Sequence, residues 1–202
     1  MNGSDKAPRA WQRMLSGRRL DILDPSPLDI EISDIALGLS RVARWNGQTT
    51  GQHGFSVAQH CVLVTECLAG LFPSLPRKAR LAALLHDAPE YVTSDLITPF
   101  KRAIGAVYCD IEDRMAQAVH LAFGLPADLP AHWQDAIKQC DRILAWQEAV
   151  AVAGFSPAEA SQIIPIPAPY RQPVPLSAWA ADQAKDAFLT CFHSLQPRTE
   201  TG

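Results

Sequence analysis

His86 and Asp87 stand side by side at the end of an apolar run, in Leu84-Leu85-His86-Asp87-Ala88-Pro89-Glu90. An imidazole next to a carboxylate is costly to bury unless something compensates both, and a divalent cation would do so. Two further candidate ligands lie at useful distances, His60 upstream and Asp141 downstream. His60 is the fourth residue of a predicted helix and borders its apolar stripe. Asp141 shares a helix face with Ile137, Leu144 and Ala145, where an unpaired charge is penalised. Two imidazoles and two carboxylates form a mixed nitrogen and oxygen set suited to one divalent cation (Mn, Co, Zn, Mg, Ni or Fe), with positions left open for water. Each residue has a plainer reading on its own: a lone helical histidine is more often a core or surface side chain, and a lone aspartate is usually solvated. The four together, in the order H…HD…D on three predicted helices, are far more specific. They point to a metal-dependent hydrolase.

The elements that must position these residues read as helices. After a lead-in rich in Pro and Asp, Ser33 is placed to cap a helix carrying Ile35, Leu39 and Val42, with a stop near Asn46-Gly47. Ser56-Val57-Ala58-Gln59 is a capping-box pattern with Phe55 as a staple residue. The helix it opens puts Val57, Cys61, Val64 and Leu68 on one stripe. A third helix starts around Pro76 and runs to the His-Asp pair, where Pro89 kinks or ends it. Thr98-Pro99 marks the next start. A longer helix follows with Val107, Ile111, Met115 and Ala118 in register up to Gly124. The most sustained pattern runs from Ala131 to Ala153 and stops at Gly154. Ser156-Pro157-Ala158-Glu159 is a second capping box, and a proline-rich connector from Pro165 to Pro175 leads to a last helix from Ser177 with Phe188, Phe192 and Leu195 inward. Strand-like alternation is confined to Leu20–Ile32.

The expected architecture is therefore all-α, a single compact helical bundle. Residues 1–32 form a lead-in packing on the domain, 33–155 form its core, and 156–202 complete it with the connector and C-terminal helices. At 202 residues, 48% hydrophobic and 19% charged, the chain suits one globular domain rather than a disordered chain. A net charge of −3 provides no global basic field for a nucleic-acid polymer or a membrane surface. The N-terminus lacks an apolar signal region, and no later run is long enough to span a bilayer. Five cysteines without a C-x-x-C pair read as reduced thiols in or near the core, and a cytoplasmic location is the expectation.

With these residues in place, the sequence resembles the HD-domain metal-dependent phosphohydrolases, and more locally the bacterial 5′-deoxynucleotidases of the YfbR type and their phage-associated relatives. The resemblance runs from about Ser16 to Ala149. It is carried by Arg44-Trp45, Ser56-Val57-Ala58-Gln59-His60, His86-Asp87-Ala88-Pro89-Glu90 and Asp95-Leu96-Ile97-Thr98-Pro99-Phe100-Lys101. It implies that His60, His86, Asp87 and Asp141 hold one divalent cation. It also implies that Glu90 transfers a proton, that Asp95 is a second acid at the reaction centre, and that Arg44 and Trp45 hold the nucleotide.

Physical reasoning agrees with these roles. A cation lowers the pKa of its bound water toward neutrality. Glu90 or Asp95 could orient that water or protonate a leaving oxygen. Arg44 and Lys101 could stabilise phosphoryl charge, and Trp45 offers a flat apolar face. Without the resemblance, Trp45 would be a core or helix-end aromatic, and Arg44 and Lys101 ordinary surface charges. His53 could point into the pocket.

The expected activity is release of phosphate from (deoxy)nucleoside 5′-monophosphates. The alternative is a deoxynucleoside triphosphate triphosphohydrolase cutting at the α-phosphorus, suggested by Ser16-Gly17-Arg18-Arg19 and the Gln48–Gln52 loop. A metal-stabilised helical scaffold without turnover is the alternative of another class. The expected partner is a small-molecule nucleotide, and apolar faces on the C-terminal helices could support a homodimer.

Overall fold

Two helices form the spine of the molecule, α2 (Val57–Leu71) and α7 (Ala131–Ala151), and they pack against each other. The computed structural model describes residues 10–196, so residues 1–9 and 197–202 of the expected lead-in and C-terminal segment lie outside the described residues. Around α2 lie α1 (Ile32–Arg41), α3 (Arg77–Leu84) and α9 (Ala181–Leu195), with α9 also touching α1 and α3. The short α4 (Glu90–Thr93) sits on α1, and α8 (Pro157–Ile163) on α7. Then α5 (Thr98–Ile104) leads into α6 (Ala106–Ala122). The fold is all-α, as the helical periodicity predicts. A small antiparallel hairpin, β1 (Trp11–Arg13) and β2 (Arg19–Asp21), is the sole sheet among the described residues. It starts earlier than the expected alternation, and its Leu20 is fully buried.

The apolar stripe of α2 explains its central place: Val57, Cys61, Val64 and Leu68 are all fully buried. Ser56 caps the helix by accepting from the Gln59 backbone N–H at 3.2 Å. The other half of the expected capping box is absent. Instead Gln59 donates its side-chain amide to the Ser177 carbonyl at 2.8 Å and accepts from the Trp179 N–H at 2.9 Å. Gln147 on α7 does the same for the connector, donating to the Tyr170 and Gln172 carbonyls and accepting from the Val174 N–H. These bonds hold the segment before α9 outside the helix, so α9 begins at Ala181, four residues later than expected. At α8 the capping box of Ser156 and Glu159 is complete.

Helix α1 differs from expectation at both ends. Ser33 lies inside it, Glu31 occupies the capping position, and the helix stops at Arg41, short of Asn46-Gly47. Tertiary pairing ends it. The Val57 N–H donates to the Val42 carbonyl at 3.0 Å and the Arg44 N–H to the Phe55 carbonyl at 2.8 Å, around a bridge between Ala43 and Ser56. The chain then makes a tight 3₁₀ turn, Arg44–Gly47, in which Trp45 and Asn46 adopt positive φ of 58° and 50°. One close approach also shapes the site: a Cβ on Gly38 of α1 would stand 2.7 Å from the Tyr91 Cβ of α4.

Candidate metal centre

Helix α3 ends at Leu84, so His86 and Asp87 lie in the turn that follows it, rather than in the helix itself. Pro89 has no N–H to return to the Leu85 carbonyl, and it becomes the capping residue of α4. The turn is tight, with the Ala88 N–H bonded to the Leu85 carbonyl and the Glu90 N–H to the Asp87 carbonyl, each at 3.0 Å. It aims His86 and Asp87 at His60, which projects from α2, and at Asp141, from α7. The His60 and His86 rings are 5.3 Å apart between centroids. His60 Nε2 is 3.1 Å from Asp141 Oδ1 and 3.7 Å from Asp87 Oδ2, and His86 Nε2 is 3.2 Å from that same Asp87 oxygen.

Both imidazoles are oriented from behind. The Nδ1 of His60 contacts Glu148 Oε1 at 2.6 Å, and the Nδ1 of His86 contacts the Ala83 carbonyl at 2.8 Å. With Nδ1–H donating in each case, the Nε2 lone pairs face inward. Neither buried Nε2 makes a hydrogen bond. Two orphaned acceptors beside two carboxylates are the signature of a cation site. Ligand atoms about 2.1 Å from one cation, at right angles, stand about 3 Å apart, which matches the closer spacings here. His60, His86 and Asp141 bring ligand atoms within 4.8 Å of one another and so fit a divalent ion, with Asp87 beside them through its contacts to both imidazoles.

The electrostatics agree. Burial alone would lower the pKa values of both histidines, and Arg44 opposes protonation of His60. Glu148 and Asp141 reverse this at His60, and Asp87 does so at His86, so both are held above the ordinary histidine range. Burial would raise Asp87 and Asp141, but His86 and His60 respectively hold these carboxyls below their usual range. Protons and a metal ion compete for such a set.

Glu148 has no counterpart in the sequence reading. It is fully buried on α7 and accepts from three side chains: His60 through Oε1, then Arg44 Nε at 2.7 Å and Trp45 Nε1 at 3.0 Å through Oε2. Burial would raise its pKa, but Arg44 and His60 hold it below the usual range. It lies seven residues after Asp141 and thus on the same helix face, a spacing that could have drawn attention to it.

A cavity of about 380 Å³ opens beside the cluster, and Arg44, Trp45, Asp87, Glu90, Asp95, Lys101 and Asp141 all line it. Glu90 is nearly fully buried, and its Oε2 makes no hydrogen bond. Burial, then Asp87 and Asp95, push its carboxyl up to about 8, against the pull of Lys101. Burial also raises Asp95. Lys101 Nζ lies 3.4 Å from Glu90 Oε1 and 3.0 Å from Glu112 Oε1. Arg44 is committed to Glu148, with Nη1 also 3.6 Å from Asp87 Oδ2. A second cavity, of about 480 Å³, reaches His86 and Asp141 from the side of His120 and Lys138. His53 is exposed and lies outside both linings.

A family model described as 5′-deoxynucleotidase YfbR-like matches residues 37–154, a span holding every residue of this cluster. The chain belongs to that family. YfbR-like proteins are HD-superfamily phosphohydrolases, for which divalent metal binding is implied, in accord with the donor set above. An uncharacterized protein of Rhodobacter capsulatus is 61% identical over 161 residues, covering 80% of this chain and 82% of that protein. The uncharacterized protein YfdR of Escherichia coli K12 is 35% identical over 98 residues, covering 48% of this chain and 49% of its own length. No helix among the described residues is long and apolar enough to cross a membrane.

Proposed function

We infer that this YfbR-like protein is a divalent-metal-dependent 5′-nucleotidase that hydrolyses the phosphomonoester of (deoxy)nucleoside 5′-monophosphates. The observation that carries this reading is the pair of orphaned imidazole nitrogens converging on Asp87 and Asp141, with a high-pKa Glu90 on the same cavity wall. His60, His86, Asp87 and Asp141 would hold the cation. When bound, it supplies a Lewis acid for the phosphoryl oxygens and an activated water.

The remaining work falls to the chain. Burial, Asp87 and Asp95 push the Glu90 carboxyl up to about 8, which favours its protonated form, and because Oε1 faces Lys101, a proton held there belongs on Oε2. As the bond from water oxygen to phosphorus forms and the ester P–O bond breaks, Oε2 gives that proton to the leaving 5′-oxygen. Asp95 takes the proton lost by the attacking water. Lys101 stabilises charge on the phosphoryl group. Trp45, pinned through its indole N–H, offers a fixed apolar wall to sugar or base.

Charge favours a monophosphate over a triphosphate. Among the described residues lining the cavity, Arg44 and Lys101 are the cationic side chains, and each is already paired with a glutamate. Two additional phosphates would add negative charge with no free cationic side chain among those lining residues to receive it. A nucleotide panel with Mg, Mn, Co or Zn tests this reading. Orthophosphate from monophosphates is expected. Tripolyphosphate from deoxynucleoside triphosphates would replace it with the α-phosphorus reaction, and no turnover with any metal would leave a scaffold.

A further inference from the structure

Cys61 follows the candidate ligand His60 on α2, and its side chain is fully buried. The sequence pattern places it on the apolar stripe of the helix, yet its surroundings are partly polar. Its Sγ, a ring nitrogen of His86 and a carboxylate oxygen of Asp87 all lie within 4.8 Å of one another. Ligand atoms of His60, His86 and Asp141 satisfy the same spacing. His86 belongs to both groups, so the thiol borders the set that would hold the cation.

The thiol does not stand alone. The side chain of His60 is 0% exposed, and neither its Nε2 nor that of His86 makes a hydrogen bond, although each lies within 3.2 Å of a carboxylate oxygen. A thiolate about 2.3 Å and an imidazole nitrogen about 2.1 Å from one tetrahedral cation stand about 3.6 Å apart, within the spacing found here. Packing alone does not call for sulfur at this position, since Val57, Val64 and Leu68 fill the same stripe with hydrocarbon.

We propose that Cys61 is a metal-selectivity residue, whose sulfur joins His86 and Asp87 as a ligand when a thiophilic divalent cation is bound and thereby favours zinc or cobalt over magnesium. The proposal rests on the reading of His60, His86, Asp87 and Asp141 as a metal site. Magnesium is a hard cation that takes oxygen ligands and keeps its waters, so a sulfur donor adds nothing to its binding. Zinc and cobalt accept thiolate readily. On coordination the thiol gives up its proton to solvent, and the anionic sulfur balances part of the cation's charge.

Cobalt titrated into chelator-treated full-length protein tests the assignment by absorption spectroscopy. The wild-type protein should show cobalt ligand-field bands together with an intense near-ultraviolet sulfur-to-cobalt charge-transfer band. Cys61→Ser should lose the charge-transfer band while keeping the ligand-field bands, and Cys67→Ser should keep both. By calorimetry, Cys61→Ser should bind zinc about tenfold more weakly or worse, with magnesium affinity unchanged. Ligand-field bands in wild type without the charge-transfer band, or persistence of that band in Cys61→Ser, overturn the sulfur ligand and leave the metal site standing. Failure of the wild-type protein to bind cobalt at all overturns the metal reading and the sulfur ligand with it. The wild-type spectrum decides the matter even if a variant does not fold.

Discussion

Replacing Glu148 by glutamine tests the idea that one buried carboxylate assembles the centre. Its two oxygens accept from three donors, so an amide of the same shape satisfies at most one side of the arrangement. If the amide oxygen stays with Arg44 and Trp45, its NH₂ faces His60 Nδ1. That contact forces the tautomer with hydrogen on Nε2, and the lone pair aimed at the cation is lost. If the amide turns over, the NH₂ meets the Arg44 guanidinium and the Trp45 N–H, and a buried charge goes unpaired. Breaking a buried ion pair costs about 3–5 kcal/mol, and a lost hydrogen bond to a charged group about 1.5–3 kcal/mol. The expected loss for Glu148→Gln is thus about 3 kcal/mol, a large share of the roughly 5–15 kcal/mol that holds a domain folded. Metal affinity should fall about 10- to 100-fold, the usual scale for losing the partner of a ligating histidine. Urea unfolding in chelator isolates the first quantity, and calorimetric titration with zinc or manganese gives the second. If stability stays within about 1 kcal/mol of wild type and affinity within about twofold, Glu148 does not organise the site.

Three further outcomes are expected. Glu90→Ala should lower kcat by about 10²–10⁴ while leaving metal stoichiometry unchanged, as measured by elemental analysis beside steady-state kinetics; full activity would remove the proton-transfer role. In chelated protein, Glu90 is held at about 8 in the fold against an ordinary 4.5, so its contribution to stability is complete below pH 4.5 and is lost as pH rises through 8. Glu90→Gln should flatten that decline in urea melts across the window, and an unchanged pH profile would contradict the raised carboxyl. Gly38→Ala places a Cβ 2.7 Å from the Tyr91 Cβ and 3.1 Å from its carbonyl, so it should cost about 1–3 kcal/mol and push α4 away. Because α4 starts at Glu90, kcat should drop with little change in metal binding, and a neutral effect on both would show that α1 and α4 separate freely.

The parts of the site legible in the sequence are those whose residue types conflict with their surroundings. A histidine and two aspartates on or beside apolar faces, with a second histidine at a proline break, have few inexpensive explanations, and the structure brings all four together. Glu148 escaped because glutamate in a helix is ordinarily solvated, and nothing in its immediate neighbours requires a charge. Its i+7 relation to Asp141 was the available signal. Helix ends depart from the sequence pattern where tertiary bonds outweigh local preference. Val42 and Arg44 leave α1 to pair with the strand-like approach to α2. The residues after Ser177 stay out of α9 where Gln59 holds the backbone of Ser177 and Trp179. Lys101 reads in the sequence as a group that could stabilise phosphoryl charge, and Glu112, from the next helix, already shares its charge.

The two buried glutamines carry a consequence for how this protein reports on itself. Gln59 adjoins His60 in the chain and Gln147 adjoins Glu148, so each sits one residue from the centre on one of its two main helices. Between them they make five hydrogen bonds to the backbone of the connector around residues 170–179. That connector is otherwise almost without regular structure, and much of it is exposed. Its order is borrowed from α2 and α7. An ion that steadies those helices should therefore slow proteolytic nicking near Gln172 in a limited-proteolysis time course, and a lesion that loosens them should speed it. The connector is a surface gauge of the state of a buried site.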